Sequence, residues 1–352
     1  MTADGAPLSE APAPVTERVR EQVPGGMLGD LAAEDVYRPP TFVHGARGWL
    51  KRFVRTKFGL VAIILMVLLI GMAIFAPILA PYNPDSIVGP PFASPFGHYF
   101  FGTDEIGRDV LSNFIYGARV SMLVGAASGL VALILGCVIG GLAGYLGKAF
   151  DVVLMRIAEL FMVIPSLILA VVVVALLGSQ LLYIVLIIGF TLWPQEARIA
   201  RSQFLTLRER DFVQGARVAG FRWRHIVFRE ILPNAIAPVI VQVTLDAGSA
   251  ILLEAGLSFL GLGDPSIPSW GTMLQNAQSY LTTNEWLSIF PGIGILFAVL
   301  AFNFLGHALN EVMNPRAPRV PALSLARRML LRTGASSMRR AASQGVPEGS
   351  IL

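Results

Sequence analysis

Charge leaves this chain in long blocks and returns in short clusters between them. Residues 58–80 contain no Asp, Glu, Lys or Arg, and Arg47, Lys51, Arg52, Arg55 and Lys57 stand directly before them. Further uncharged blocks cover 120–147 and 160–195. A helix crosses a hydrocarbon core of about 30 Å with about 20 apolar residues, so blocks of this length predict membrane spans. The 160–195 block is too long for one crossing, and Gly178, Ser179 and Gln180 divide it into two helices joined by a tight outer turn. The first of that pair is expected to begin near Val152, with Arg156 and Glu159 at its inner end. Residues 235–260 and 286–310 complete a count of six. The pattern predicts an all-α polytopic membrane bundle.

Orientation follows from where the basic residues fall, because Lys and Arg accumulate on the cytoplasmic side. With the N-terminus inside, the inner segments hold the cluster before the first span, Lys148, eight arginines from Arg198 to Arg229 and seven from Arg316 to Arg340. The outer segments hold Arg108 and Arg119 in the first loop and no Lys or Arg in the other two. Both termini are therefore expected in the cytoplasm, with the protein multi-pass in the cell membrane.

Composition agrees. Hydrophobic residues make up 54% and charged residues 14% of the chain, against about 25% charged in soluble domains. The mean hydropathy is +0.65, and polar surface is too scarce to cover a core of this size in water. The net charge of +4 does not point to nucleic acid: the basic residues flank apolar blocks, where anionic lipid headgroups are the neighbours. A single cysteine, Cys137, excludes an intrachain disulfide and a thiolate metal cluster, and no His-Glu-x-x-His zinc motif occurs. Neither a metal nor a cofactor is expected on this chain. Four regions are expected: a disordered cytoplasmic tail over 1–46 with no signal peptide, a first helix and outer loop over 47–119, the main transmembrane domain over 120–315, and a basic lipid-contacting tail over 316–352. Arg339 to Ser343 loosely resembles a kinase target.

Three internal features call for a reading. Gly125, Gly129, Gly136, Gly140 and Gly144 line the second block with small residues at helical spacing, which lets helix backbones approach closely in lipid. They are read as packing within the chain, with a subunit interface as the alternative. Asp246 is expected near mid-depth of the fifth span and Glu254 nearer its outer end. A charge at a helix centre costs about 2.5–3.5 kcal/mol on insertion scales, so each should face the bundle, either lining a translocation path or bonded to a neighbouring helix. The third feature is the inner loop expected over 196–233, long and arginine-rich. Ala216 and Ala219 favour helix there, Gly220 can end it in a left-handed conformation, and Pro233 suits the first turn of the next span. By itself such a segment reads as an interfacial amphipathic helix.

Residues 214–233 resemble the loop shared by permeases of binding-protein-dependent ABC importers: Glu-Ala-Ala, three residues, Gly, nine residues, Ile, any residue, Leu-Pro. Ala216, Gly220, Leu232 and Pro233 match that pattern at its spacing, whereas Gln214, Gly215 and Glu230 replace its Glu, Ala and Ile. Residues 101–119, running Phe-Gly-Thr-Asp-Glu-Ile-Gly-Arg-Asp and ending in Tyr-Gly-Ala-Arg, resemble the outer-loop signature of the second permease of dipeptide and oligopeptide importers. Residues 259–263 and 268–271 are similar to a second such signature; without the family they read as a glycine-rich exit from the fifth span, with Trp270 anchored at the interface. The matches cover roughly 98–315. The resemblance implies a type I ABC importer permease fold, with 211–232 as the helix that docks into an ATPase subunit. It also implies a homologous second permease, two cytoplasmic ATPases that use the ATP, and an external solute-binding protein.

Other chemistries have weaker support. Gly261-Leu262-Gly263-Asp264 spells a pattern of intramembrane aspartyl proteases, with Asp246 as the partner acid, but Asp264 falls at the outer end of its span and precedes Pro265. A transporter driven by an ion gradient could use Asp246 or Glu254. The chain is not expected to be an ATPase, since Leu142 stands where a phosphate-binding loop needs its first glycine and Ala149 follows Lys148. The cargo stays open between peptides and nickel or another small solute, because nickel-importing relatives share similar outer-loop signatures.

Overall fold

In lipid a backbone must satisfy its own hydrogen bonds, and each uncharged block does so as helix. The computed structural model describes residues 52–313. The tails expected over 1–46 and 316–352, and Arg47 and Lys51 of the basic cluster, lie outside the described residues.

The first block is α1 (Gly59–Ile74), followed after Phe75 by a single turn at Ala76–Leu79. The expected run to residue 80 is broken because Pro77 has no N–H for the preceding turn and instead opens the new one. The second helix, α2 (Val110–Leu146), starts ten residues before the uncharged block. Asp109 begins it: its carboxylate accepts from the Ser112 backbone N–H at 2.8 Å and from the Ser112 hydroxyl at 2.6 Å. Arg119, expected in the outer loop, therefore lies within the helix on an exposed face.

The expected third span is two helices, α3 (Lys148–Val163) and α4 (Ser166–Leu177), bent by 89°. Pro165 forces the break, since it cannot donate and it holds Ile164 in extended backbone (φ −79°, ψ 125°). α5 (Leu181–Arg208) runs through Pro194 and on past the uncharged block, so the inner loop expected from Glu196 is helical as far as Arg208. It persists because Trp193, Ala197, Ala200, Phe204 and Leu207 form a buried stripe along one face. After α6 (Asp211–Val218), the short Trp223–His225 helix and a wide turn over Ile226–Ile231 lead into α7 (Leu232–Leu257). A second wide turn, with Gly261 at φ +83°, leads to the short outer helix α8 (Trp270–Ala277), and α9 (Trp286–Met313) closes the described chain.

Among the described residues, α2, α5, α9 and the segment built around α7 are each long and apolar enough to cross a membrane, and the α3–α4 pair makes a fifth when taken as one bent span. α1 is apolar but shorter, at 16 residues. The glycine stripe of α2 packs within the chain along its whole length. Gly125 and Gly129 meet Ala247, Ile251 and Val243 of α7, while Gly136, Gly140 and Gly144 meet Glu196, Ala197, Arg201 and Phe204 of α5. Trp270 is not an interfacial anchor. It is fully buried among Ala118, Met122, Ile251, Ala255 and Ala298, and its indole N–H donates to the Phe114 carbonyl at 3.0 Å.

Candidate functional site

The end of α2, the start of α3 and the end of α5 are tied together before the chain enters α6. Arg201 donates to both oxygens of Asp151 of α3 from one guanidinium edge, through Nε to Oδ1 and through Nη2 to Oδ2 at 2.7 Å, and Arg208 donates to the Gly144 carbonyl at the end of α2 at 3.0 Å. On this base α6 is held by one fully buried side chain. Val213 is fully buried among Phe204, Leu207, Ile226, Ile231 and Ala235, with Ala216 packed at the cluster's edge. Gln214, which stands where the family pattern has Glu, turns back and donates to the Arg208 carbonyl at 3.1 Å.

The end of α6 is closed by paired hydrogen bonds. Gly220 N–H donates to the Arg217 carbonyl at 3.0 Å, and Phe221 N–H to the Ala216 carbonyl at 3.1 Å, around a Gly220 at φ +80°. A side chain at Gly220 would be strained by that backbone alone, because the space around it, as around Gly215, is open. Pro233 sits in the first turn of α7, with Leu232 half-buried beside it. The outer side of the segment is apolar. Val218 is 90% exposed, and Phe212, Phe221, Trp223 and Phe228 are exposed around it, interleaved with Arg217, Arg222 and Arg224.

The acids of α7 are held differently from one another. Glu254 is 2% exposed, and its Oε1 accepts from the Ser258 hydroxyl at 2.7 Å and the Ser269 hydroxyl at 2.8 Å; Oε2 meets no donor. Ser269 in turn accepts from Thr272 N–H at 3.1 Å, so this carboxyl fastens the entry of α8 to α7. Asp246 is half-buried. Its Oδ1 accepts from Gln242 at 3.2 Å, its Oδ2 has no donor, and its carboxyl faces that of Glu196.

Glu196 was not singled out by the sequence, where it read as the first residue of a loop. It is fully buried, with both oxygens away from any donor. The signal was present in the spacing: Trp193, Glu196, Ala200 and Phe204 recur at helical intervals and carry the α5 stripe straight through Pro194.

At the start of α5, Asp264 caps the helix from a distance. Its Oδ2 accepts from Leu181 N–H at 3.0 Å, and its Oδ1 accepts from the Ser266 backbone at 3.0 Å and hydroxyl at 2.6 Å. Partial burial opposes the charged form, but these hydrogen bonds outweigh it and hold the carboxyl below the usual carboxylate range. An aspartyl dyad needs two aspartates sharing a proton. Asp264 is bonded to N–H and hydroxyl donors instead, and the acid facing Asp246 is Glu196.

Residues 136–319 match the family described as the binding-protein-dependent transport system inner membrane component, and residues 46–97 match the N-terminal transmembrane domain of oligopeptide transport permease C. The dipeptide transport system permease protein of Alkalihalophilus pseudofirmus is 38% identical over 289 residues, 80% of this chain and 93% of that protein. The di/tripeptide transport system permease protein of Pseudomonas aeruginosa is 40% identical over 272 residues, 75% of this chain and 90% of that protein. A probable D,D-dipeptide transport system permease protein of Escherichia coli is 37% identical over 257 residues, 72% and 86% of the two chains.

Proposed function

Because the chain belongs to the inner-membrane components of binding-protein-dependent transport systems, we propose that it is the transmembrane permease subunit of an ATP-driven importer for di- or oligopeptides. The names of the relatives support peptide as cargo over nickel or another small solute. The chain pairs with a homologous permease in the cell membrane, both of its termini facing the cytoplasm. ATP is bound and hydrolysed by two cytoplasmic ATPase subunits and not by this chain, and an external binding protein delivers the solute.

The observation that carries this reading is α6. It is anchored through Val213, closed at Gly220, and turns Val218, Phe221 and Trp223 outward. A rigid short helix on a single buried anchor transmits a push from a docked ATPase into α5 and α7, between which it lies in sequence, and so alternates the access of the bundle. Gln214, Gly215, Ala216, Gly220, Leu232 and Pro233 shape that lever: Gly215 and Gly220 leave its outer surface open, and Leu232 and Pro233 hand it on to α7.

Val218→Glu tests the assignment, because the exposed Val218 side chain contributes little to this chain's own packing. The variant should reach the membrane and elute as wild type does, yet lose co-purifying ATPase and at least about tenfold of the peptide-stimulated hydrolysis in the reconstituted importer. Full stimulation in Val218→Glu would remove α6 from the coupling path. The paired Glu196 and Asp246 carboxyls are what a proton-driven carrier would use. Uptake that survives ATP depletion but collapses with the proton gradient would replace the importer reading by that one.

A further inference from the structure

A cavity of ≈ 260 Å³ lies at the outer face, between the first outer loop and the segment that carries α8. Asp85, Asp104, Glu105 and Arg108 line one side, and Thr272 and Gln275 of α8 the other. The charges here do not pair with one another. Among the described residues, no ion pair within 4 Å joins Arg108 to any of the three acids, and the buried Nε of Arg108 meets no acceptor. Asp104 is engaged by its own loop, accepting from the backbone of Ile106 at 3.0 Å and of Arg108 at 2.7 Å. That leaves the carboxyls of Asp85 and Glu105 and the guanidinium of Arg108 facing shared space. Burial pushes the Glu105 carboxyl up from its ordinary range, and a cation beside it would favour the charged form.

A cavity carrying unpaired acids and an unpaired arginine suits a ligand with both an ammonium and a carboxylate. An arginine fork matches a carboxylate in two parallel hydrogen bonds, and carboxylates accept from an ammonium. At ≈ 260 Å³ it is far larger than the roughly 10–15 Å³ that a single water needs, and so has room for a small organic molecule. We infer that this cavity is a transit site for a free dipeptide, whose ammonium is held by Asp85 and Glu105 and whose carboxylate is held by Arg108. The inference rests on the peptide-importer reading and adds a station on the permease itself, before the cargo enters the bundle.

The full chain in lipid nanodiscs, without binding protein, is titrated with dialanine by ligand-detected saturation-transfer NMR. Dialanine should bind in the millimolar range. N-acetyl-dialanine, dialanine amide and free alanine should each bind at least tenfold more weakly to the same wild-type preparation. Arg108→Gln and Glu105→Gln should weaken dialanine at least tenfold, with Arg108→Lys intermediate. Absence of a wild-type signal, equal binding of either blocked dipeptide or of alanine, or unchanged binding in both Gln variants overturns the site. ATP-driven dipeptide uptake by the reconstituted wild-type importer is measured beside it. Uptake without binding at this cavity defeats the transit site alone, whereas absence of uptake defeats the importer reading.

Discussion

Gly140→Ala is expected to destabilise the bundle, although alanine is the better helix former. A glycine in a helix interior costs about 1 kcal/mol relative to alanine, so propensity alone favours the substitution. At Gly140 the added methyl would run into the Ala197 carbonyl oxygen and come within 2.9 Å of that residue's carbonyl carbon and Cα. These are backbone atoms of α5, and no rotamer change removes them. Overpacking of a tight core costs about 1–3 kcal/mol or more, and here relief requires α2 and α5 to separate along their whole contact. The clash should therefore win, lowering the apparent melting temperature in detergent by several degrees, and Gly140→Val should lower it further. Gly71→Ala in α1 is the control: a methyl there meets nothing within 4 Å, so the same chemical change should leave stability unchanged or raise it. If size-exclusion melting curves place Gly140→Ala level with wild type, the close approach of α2 and α5 is not what holds the bundle together.

Glu254→Ala should have the larger effect on transport. Two buried hydroxyls, those of Ser258 and Ser269, donate to this carboxyl, and deleting it leaves both without that acceptor at about 1–3 kcal/mol each. Removing an acid from a membrane helix gives back about 2.5–3.5 kcal/mol on insertion scales, so the opposing effects are of similar size. The vacated volume tips the balance toward a net loss of about 1–3 kcal/mol. The functional loss should exceed this, because Glu254 bonds to the residue that caps α8, and α8 carries Trp270 into the core and Thr272 and Gln275 to the outer cavity. We expect ATP-driven uptake to fall at least tenfold in Glu254→Ala and to stay within about twofold in Glu254→Gln, which keeps an acceptor for both serines without the charge. Equal uptake by the two variants would mean that the hold on α8 does not matter to transport.

The long apolar helices were legible because exclusion of charge is the strongest demand lipid makes, and it acts on whole blocks of sequence. What charge cannot report is how a block packs or bends. Pro165 lies inside an unbroken apolar run, so the break between α3 and α4 leaves no mark in hydropathy although the proline itself is plain. The extension of α5 beyond residue 195 was hidden by the opposite error: arginines suggested loop, while Ala197, Ala200, Phe204 and Leu207 continued the buried face beneath them. Trp270 looked interfacial for its residue type and its glycine-rich surroundings, and only the folded return of α8 buries it. In α6 the turn was readable, since Gly220 sits where a left-handed residue was needed, and the anchor was not. Val213 is one valine among many until Phe204 and Ile231 close over it. Glu196 escaped because its meaning depends on Asp246, fifty residues away.

The elbow at Ile164 and Pro165 has a consequence in simple lengths. At 1.5 Å per residue, the 16 residues of α3 and the 12 of α4 measure about 24 Å and about 18 Å. Set at nearly a right angle, 89°, they are the two shorter sides of a triangle whose third side is about 30 Å, the thickness of the hydrocarbon core. Neither arm is long enough to cross alone; taken as one span, the pair reaches that thickness along the hypotenuse. Straightening the corner would stretch the same residues to about 42 Å without changing any hydrogen bond inside either helix. Taken as one span, the pair has a reach set by an angle instead of a length.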